Sequence, residues 1–160
     1  FQDINGHWAE KSIDFVGARE LFSGTGANTF SPDADMSRAM LWTVLARQGN
    51  ADLSGGSNWY EKSQLWAVDK GISDGTNPQD SISRAQMISM LWRTAGSPDT
   101  TDSARFTDVP ADAYYTDAVA WAVKNNITSG VGNGKFDPNA ACTRAQIAVF
   151  LRNAYENDIF

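Results

Sequence analysis

The chain repeats itself, and this repetition constrains its fold more than any other feature of the sequence. Residues 8–47 align without a gap with residues 114–153, at numbers that differ by 106. The segments 1–3 and 106–108 also match, each reading Phe-x-Asp. A middle copy over residues 58–96 keeps the same landmarks, but it lacks the Phe-x-Asp opening and its central loop is five residues shorter. Such self-similarity predicts a repeat architecture rather than one irregular domain.

Each copy predicts two helices joined by a loop. In the last copy, apolar residues 118, 119, 122 and 123 share one helical face, and Asn126 ends that helix where the middle copy has Gly71. The loop carries turn residues and a Phe-x-Pro triplet, whose Phe30 or Phe136 we expect in the repeat's own small core. We define repeat 1 as residues 1–49, repeat 2 as residues 58–96 and repeat 3 as residues 106–154.

A capped second helix follows each loop, with Ser37, Ser83 or Thr143 as its N-cap. These second helices are apolar around much of their circumference, so we expect them inside the protein. One helical hairpin cannot bury such faces alone. We therefore predict an all-α fold in which three helix-loop-helix repeats pack as one pseudo-threefold helical bundle, linked by connectors at 50–57 and 96–105.

An Arg stands at the first position of each second helix, at Arg38, Arg84 and Arg144. The macrodipole is positive there and the backbone N–H groups are unpaired, so an exposed cation is unfavourable. One interpretation is that a neighbouring carboxylate, for example Asp3 or Asp108, pairs with the Arg and pins one repeat to another. The other is that the Arg and the free helix-start N–H groups form an anion site. Both hold if an Asp keeps the Arg in place until a ligand arrives.

Aromatic residues and glycines also recur at matching positions. The aromatic residue at the start of each first helix is either a staple that packs on its own repeat or an exposed platform for a sugar ring. The glycine just after each first helix serves a positive-φ turn or a close backbone approach. A further aromatic residue within each first helix has a packing role. These sets are Trp8, Trp59 and Tyr114; Gly24, Gly75 and Gly130; and Phe15, Trp66 and Trp121.

The third position of each second helix is assigned to helix stability rather than to binding. Gln86 and Gln146 can complete a capping box by reaching back to the N-cap N–H, whereas we expect that Met40 cannot. The second helix of repeat 1 should therefore begin less firmly than the others, by something under about 1 kcal/mol.

Composition and residue types exclude several classes of function. The net charge of −6 and the pI of about 4.6 argue against a nucleic-acid binder. The sequence contains no apolar run of about 20 residues, which is the length needed to span a membrane. His7 is the single histidine and Cys142 the single cysteine, so the chain offers no two-histidine zinc site, no cysteine pair as metal ligands and no internal disulfide. We expect Cys142 to be a buried small hydrophobe. No nucleophile with a base is recognisable, so we predict no cofactor, no metal and no catalysis.

The ordered pattern of the repeats resembles that of S-layer homology repeats. Its elements are F-x-D-(I/V), an aromatic residue, a helix ending in G-I or its equivalent, G-x-x-x-x-F-x-P and (S/T)-R-A. The resemblance implies three tandem repeats that fold as a pseudo-trimeric spindle in an exported bacterial surface protein. It also implies non-covalent attachment to the cell wall through a secondary cell-wall polysaccharide that is often acidic from pyruvyl ketals. The family's motif is T-R-A-E, and this chain differs from it by having Met40, Gln86 and Gln146 at the position of the Glu.

The resemblance further implies that the motif Arg contacts a ketal-bearing sugar in a groove between neighbouring repeats. We therefore predict a secreted cell-wall anchor that binds an acidic wall glycan, monomeric as an isolated chain; the alternative is a self-assembly module of a surface layer without glycan binding. Because repeat 2 is shortened, its Arg84 is expected to matter least. The predicted ligand-binding residues are Arg38, Arg84, Arg144, Trp8, Trp59, Tyr114, Asp3, Asp108, Gly24, Gly75 and Gly130.

Overall fold

Helices form the regular structure of the protein. The structure, a computed structural model, describes residues 1–100 and 106–160, so that residues 101–105 of the second predicted connector lie outside the described part. Each repeat contains two α-helices, and in repeat 1 a short 3₁₀ helix, Gln2–Ile4, precedes them. The α-helices are α1 (Glu10–Ala18) and α2 (Arg38–Gln48), α3 (Glu61–Asp69) and α4 (Arg84–Thr94), and α5 (Thr116–Lys124) and α6 (Arg144–Glu156). The predicted all-α class is confirmed, and none of the helices in this part of the chain is long and apolar enough to cross a membrane.

Each first helix is followed by a residue with a left-handed backbone. The φ angle is 58° at Glu20, 70° at Gly71 and 59° at Asn126. The predicted helix ends at Gly71 and Asn126 are therefore confirmed, and both residue types adopt this conformation with little strain. The turn directs the chain out of the helix and into the loop of the repeat.

The second helices begin with the predicted N-caps. Gln86 and Gln146 complete capping boxes, with their side-chain oxygens 3.0 Å from the N-cap nitrogens. The prediction that Met40 cannot do so is wrong, because its Sδ accepts the N–H of Ser37 across 3.4 Å. A thioether sulfur is a weak acceptor on a flexible side chain, so it supplies the same contact with a weaker bond. The N-cap hydroxyls that accept an N–H from the third helical residue are those of Ser37, Ser83 and Thr143.

The loop phenylalanines and the second helices fill the core, as predicted. Phe30 and Phe136 are fully buried. Cys142 is also fully buried, which confirms its role as a small hydrophobe. The predicted packing role of the aromatic residues within the first helices is confirmed too: Trp121 is buried, while Phe15 and Trp66 are half-buried against the core.

Three backbone segments meet at the centre of the protein in a closed cycle of hydrogen bonds. The N–H of Met36 donates to the carbonyl of Cys142 (3.2 Å), that of Cys142 to the carbonyl of Ile82 (2.9 Å), and that of Ile82 to the carbonyl of Met36 (2.8 Å). The three side chains are at most 1% exposed. The cycle satisfies buried polar groups that would otherwise be costly, and it joins one segment from each repeat.

Helix packing follows the same cyclic order. Helix α3 packs against α2, α5 packs against α4, and α1 packs against α6. Each first helix thus lies on the second helix of the preceding repeat, and the contact between α1 and α6 joins repeat 1 to repeat 3. The rings of Phe15 and Tyr155 meet edge to face there, with centroids 5.8 Å apart. The repeats interlock, so no repeat buries its own faces alone.

The buried thiol of Cys142 provides a test of this core. Burial raises its pKa to about 12, because the thiolate would lose its hydration. Since the thiolate is the reactive form, the native protein should resist Ellman's reagent at about pH 8. Labelling should accelerate with denaturant only as the protein unfolds globally, followed in parallel by circular dichroism. Native-state labelling as fast as that of the denatured chain would contradict the packing described.

Candidate functional site

Three grooves open between the repeats, and each is built from all three of them. We name each groove after the repeat that supplies its loop and second helix. An aromatic residue comes from the following repeat and a helix-start Arg from the preceding one, with repeat 1 following repeat 3. These pairs are Trp59 and Arg144 in the repeat-1 groove, Tyr114 and Arg38 in the repeat-2 groove, and Trp8 and Arg84 in the repeat-3 groove. The groove volumes are about 550, 330 and 360 Å³, in the same order.

The helix-start arginines are buried and hold the loop of the following repeat. Arg144 donates from Nε to the carbonyl of Phe30 and from Nη2 to that of Ser23, each at 2.7 Å. Arg84 donates from Nε to the carbonyl of Phe136 at 2.8 Å. Each guanidinium also lies over the ring of the phenylalanine whose carbonyl it binds, 4.5 Å from the centroid for Arg144 and 4.8 Å for Arg84. Both Arg residues are 4% exposed, so they contribute to folding as well as to the groove walls.

Arg38 differs from the other two because it pairs with a carboxylate. Its Nη2 lies 3.0 Å from Oδ1 of Asp74 and 3.2 Å from the hydroxyl of Ser73, while its Nε donates to the carbonyl of Thr76 at 2.9 Å. Among the residues that the structure describes, the predicted Arg–carboxylate pair is thus found at Arg38, and its acid is neither Asp3 nor Asp108. The shortened loop that Arg38 holds has no phenylalanine to stack on.

The backbone N–H groups at these helix starts are not free. The first two N–H groups of α6 donate to the carbonyls of Ala34 and Pro32, each at 2.9 Å, and α2 and α4 make the equivalent bonds to the loops they face. The N-cap side chain takes the third N–H. The expectation that free helix-start N–H groups would form part of an anion site is therefore wrong, because the neighbouring loop occupies them.

Asp3 and Asp108 brace the loops from the opposite side. Asp3 accepts the N–H groups of Phe30 and Ser31, both at 2.8 Å, and Asp108 accepts those of Phe136 and Asp137 at 2.9 and 2.8 Å. The bond from Phe30 is the largest cause of the lowered pKa of Asp3. Desolvation raises the pKa of Asp108, but its two backbone bonds outweigh this and leave the pKa lowered.

A direct Arg–Asp pair is thus replaced by a relay through one peptide. The Arg of the preceding repeat binds the carbonyl of the loop phenylalanine, and the carboxylate binds the N–H of the next residue, which belongs to the same peptide group, as well as the N–H of the phenylalanine itself. These contacts favour a structural role for Asp3 and Asp108. Their proposed part in ligand binding stays a prediction.

The aromatic residues at the starts of the first helices are exposed. Trp8 is 67% exposed, Trp59 60% and Tyr114 59%. The next residue, Tyr60 or Tyr115, packs on the core instead, and its ring lies edge to face with that of its exposed neighbour in both cases. An aromatic staple would be covered by its own repeat, so the exposure favours the platform interpretation.

Two of the shared glycines, Gly24 and Gly130, make room for the Phe-x-Asp phenylalanines, whereas a Cβ on Gly75 would lie 2.7 Å from the Val68 side chain. A Cβ on Gly24 would lie 2.6 Å from the Phe1 ring and 2.5 Å from the Thr29 carbonyl oxygen. At Gly130 it would lie 2.5 Å from the Phe106 ring. The positive-φ interpretation holds for Gly130 (90°) and Gly75 (76°) but not for Gly24, whose requirement is steric. Gly24 and Gly130 also line their grooves.

Sequence reasoning missed one set of groove residues on the second helices. Arg47, Arg93 and Asn153 line the three grooves and donate to the carbonyls of Leu21, Ile72 and Ile127, which follow the first helices. Each stands nine residues after the helix-start Arg, and this matching position is the signal that could have found the set. Gln86 and Gln146, assigned to helix stability alone, also line their grooves.

The grooves differ at positions that match in sequence. The residue after the first-helix turn is Phe22 in repeat 1, where repeats 2 and 3 have Ser73 and Thr128. Met40 likewise replaces a Gln, so the repeat-1 groove has the most apolar wall. The next loop residue is Asp74 in repeat 2 and a serine in the other two repeats.

Burial lowers the pKa of Arg84 and Arg144 from the ordinary value, because their charged forms lose hydration. Both groups remain cations near neutral pH, since an Arg keeps its proton in proteins. A desolvated cation at the edge of a groove would be stabilised by an anionic ligand. No cluster of metal-ligating side chains occurs among the described residues.

The structure also corrects the premise on which Arg84 was ranked last. Arg84 holds the full-length loop of repeat 3 and lines the groove that contains Trp8. The shortened loop is held by Arg38, which comes from repeat 1. The groove most affected by the degenerate copy is therefore the repeat-2 groove.

Comparisons with known proteins identify a family. The model of the S-layer homology domain matches residues 1–39 and 105–148, just over half of the chain. The Surface-layer 125 kDa protein of Lysinibacillus sphaericus is 37% identical over 94 residues, which are 56% of this chain and 8% of that protein. The Cellulosome-anchoring protein of Acetivibrio thermocellus is 31% identical over 153 residues, 82% of this chain and 32% of that protein. An Amylopullulanase of Thermoanaerobacterium thermosulfurigenes is 27% identical over 98% of this chain but 9% of its own length. The chain thus spans about a third or less of these relatives.

The relay through Asp3 and Asp108 predicts a loss of stability in acid. Because the folded-state pKa of each is below that of a free Asp, about 3.9, their contribution is complete above that pH and disappears as pH falls through the folded-state pKa. The melting temperature should fall below about pH 4. The double variant Asp3→Asn/Asp108→Asn should be less stable at neutral pH and show a shallower acid dependence. Asp14→Asn, at an exposed position of α1, is the matched control; an unchanged acid slope in the double variant would contradict the relay.

Gly24→Ala should be destabilising because its Cβ would meet the Phe1 ring and a backbone carbonyl. We expect a loss of about 1–3 kcal/mol in the free energy of unfolding, measured in urea. Gly17→Ala is the control, since its Cβ would lie 3.6 Å from Phe1, an ordinary contact, within helix α1. That variant should be neutral or stabilising by up to about 1 kcal/mol. Equal effects of the two substitutions would refute the steric requirement at Gly24.

Proposed function

The chain belongs to the S-layer homology domain family, and we propose that it anchors a bacterial surface protein to the cell wall without a covalent bond. Membership of this family makes it part of a secreted protein attached at the cell wall or surface. The ligand we propose is an anionic secondary cell-wall polysaccharide, bearing ketal-linked pyruvate, bound in the grooves between repeats. The observation that carries this proposal is the pairing of a helix-start Arg with an exposed aromatic residue in every groove.

The charge of the proposed ligand follows from the state of the arginines. Arg84 and Arg144 are cations that have lost hydration, and the partners described for them are carbonyl oxygens and ring faces rather than carboxylates. The carboxylates of Asp3, Asp108 and Asp137 act on these arginines without pairing with them, and a ligand carboxylate at the groove edge would add a direct counter-charge. Arg suits this role because its planar guanidinium presents several N–H donors in a fixed geometry that matches a carboxylate.

The aromatic residues suit the sugar ring itself. A flat ring packs on the C–H face of a pyranose and tolerates partial exposure. Trp8, Trp59 and Tyr114 satisfy that requirement, since each is more than half exposed and lines a groove together with a helix-start Arg from another repeat. Polar groups on the second helices, such as Gln146 and Asn153, provide hydrogen bonds for hydroxyls.

The overall charge sets the range of the interaction. At a net charge of −6 the chain repels an acidic polymer at long distance, so affinity must come from short contacts inside the grooves. Electrostatic acceleration of association should accordingly be weak. Several grooves on one chain would instead raise affinity for a polymer by avidity.

We propose that this part of the protein is an anchor without catalysis of its own. The relatives named as enzymes match it over a small share of their length, 9% in the Amylopullulanase and 16% in the Exoglucanase XynX of Acetivibrio thermocellus. Such a distribution suits an attachment module joined to unrelated partners. We also infer that residues 58–96 are a degenerate third copy, since α3 and α4 repeat the helix pair, the N-cap and the helix-start Arg.

The alternative function is self-assembly within a surface layer. One observation favours it: Leu65 and Val68 on α3 are 58% and 47% exposed, outside the grooves. Sedimentation equilibrium over a wide range of concentrations distinguishes the two functions. A monomer that also binds purified wall polysaccharide supports the anchor, whereas oligomers that do not bind the polysaccharide support self-assembly.

Substitutions in the grooves test glycan binding by calorimetry against purified wall polysaccharide. Trp8→Ala and Trp59→Ala should each weaken binding by about fivefold, because a sugar face loses its platform. Arg144→Lys should weaken it more, about tenfold or beyond, because a Lys cannot reproduce the planar contact. Lys11→Ala and Leu65→Ala remove an exposed cation and an exposed apolar residue outside the grooves, and these variants should bind as the unsubstituted chain does.

Mild acid treatment of the polysaccharide tests the ligand's charge. Removal of ketal-linked pyruvate should abolish most of the binding. Retention of full affinity by the treated polymer would refute carboxylate recognition. Equal losses in the groove variants and their controls would refute the groove assignment, and melting temperatures measured in parallel exclude a loss of fold.

A further inference from the structure

The repeat-2 groove has a carboxylate against its helix-start Arg, at a loop position where the other two grooves have a serine. The repeat-1 groove is also lined by an acid, Asp35, but among the described ion pairs Asp35 is not a partner of Arg144. The loop residue in question is Asp74, and its sequence equivalents are Ser23 in repeat 1 and Ser129 in repeat 3. Each of the three lines its own groove. Repeat 2 therefore places an acid at the site where an Arg from the preceding repeat enters the groove.

The contacts of Asp74 hold that acid against Arg38. Its Oδ1 accepts the backbone N–H of Thr76 at 3.0 Å, the hydroxyl of Thr76 at 2.7 Å and Nη2 of Arg38 at 3.0 Å. The two bonds from Thr76 are the largest causes of its lowered pKa, so Asp74 is ionised at neutral pH. The acid is thus fixed by its own loop and does not depend on Arg38 for its position.

This contact changes what Arg38 can bind. Its Nε and Nη2 already meet the carbonyl of Thr76, the hydroxyl of Ser73 and the carboxylate of Asp74. In the other grooves the helix-start Arg meets carbonyl oxygens. A ligand carboxylate that approached Arg38 would meet a like charge at 3.0 Å from the guanidinium, and such a juxtaposition is unfavourable.

The remaining groups of the groove match sugar hydroxyls. The Asp74 side chain is 70% exposed, so its Oδ2 can accept hydrogen bonds from the groove. Gln86, Arg93 and Tyr114 line the same groove. Partial burial raises the pKa of Tyr114, so its hydroxyl stays protonated. An acid, an amide, a guanidinium and an exposed aromatic ring together suit an uncharged, hydroxyl-rich ring.

We propose that the repeat-2 groove binds a neutral sugar unit of the wall polymer, whereas the repeat-1 and repeat-3 grooves bind its acidic units. This inference rests on the proposed function, because it assumes that the grooves bind wall glycan. Asp74 is then the residue that determines specificity in the repeat-2 groove. One chain would then bind both neutral and acidic sugar units along a single polymer.

The test is a site-resolved NMR titration of the whole chain with two probes. The first probe is the methyl glycoside of a hexose with a 4,6-linked pyruvyl ketal, and the second is the same glycoside without the ketal. The ketal sugar should shift the indole signals of Trp8 and Trp59 but leave the ring signals of Tyr114 unchanged. The neutral sugar should shift Tyr114.

Asp74→Ser introduces the residue that the other two repeats have at this position. In this variant the Tyr114 signals should respond to the ketal sugar, with affinity in the repeat-2 groove at least about fivefold higher than in the unsubstituted chain. Asp74→Asn keeps the size of the side chain and an oxygen for Thr76, so it should give the same gain if the serine variant folds poorly. Asp69→Ser is the matched control, because it removes an exposed acid from repeat 2 outside the groove and changes the net charge equally.

Three results would overturn the inference. The first is a response of Tyr114 to the ketal sugar in the unsubstituted chain as strong as those of Trp8 and Trp59. The second is a folded Asp74 variant that gains no affinity for the ketal sugar, and the third is a Tyr114 that ignores the neutral sugar. Failure of the proposed function is distinct, since all three aromatic residues would then be unaffected by both probes and by the wall polymer.

Discussion

The structure depends on the way each second helix begins against the loop of the following repeat. A buried guanidinium binds the carbonyl of a loop residue, and the first two helical N–H groups bind two further carbonyls of the same loop. In repeats 1 and 3 an Asp binds the loop phenylalanine from its other side. The desolvation of the Arg is offset by these bonds and by the ring beneath it. The same contact joins the repeats and forms one wall of each groove, so the residues that stabilise the fold also shape the proposed binding site.

Local features of the sequence predicted the elements of this fold well, because short-range chemistry determines them. The N-caps, the turn residues Gly71 and Asn126 and the buried Phe30 and Phe136 follow from patterns within one repeat. The partners of the arginines did not follow from such patterns. A repeat's own sequence does not say which neighbour its helix start faces. For this reason neither the carboxylate that pairs with an Arg, which is Asp74, nor the occupation of the helix-start N–H groups follows from the sequence. Met40 was misjudged because a thioether is seldom counted as an acceptor.

The candidate site could be predicted in part for the same reason. The Arg and aromatic positions stand out because they recur, but their pairing across repeats required the fold. Arg47, Arg93 and Asn153 also stand at matching positions, but their residue types vary, and only the structure shows that they bind the carbonyls that follow the first helices. The grooves differ at single positions; for example, repeat 2 has Asp74 where the other repeats have a serine. The meaning of this difference emerges only from the structure, in which Arg38 of repeat 1 pairs with Asp74.

The closure of repeat 1 on repeat 3 through α1 and α6 has a consequence for how such a module can change. Since every groove borrows parts from all three repeats, deletion of any repeat would dismantle every groove at once, and a shorter version with fewer working grooves is not accessible by that route. Duplication of a single repeat would likewise interrupt the cyclic order in which the three repeats pack. If the grooves bind wall polymer as proposed, adaptation to a new polymer would have to proceed by point substitutions at the groove rims. The arginines, which also join the repeats, are poorly suited to variation.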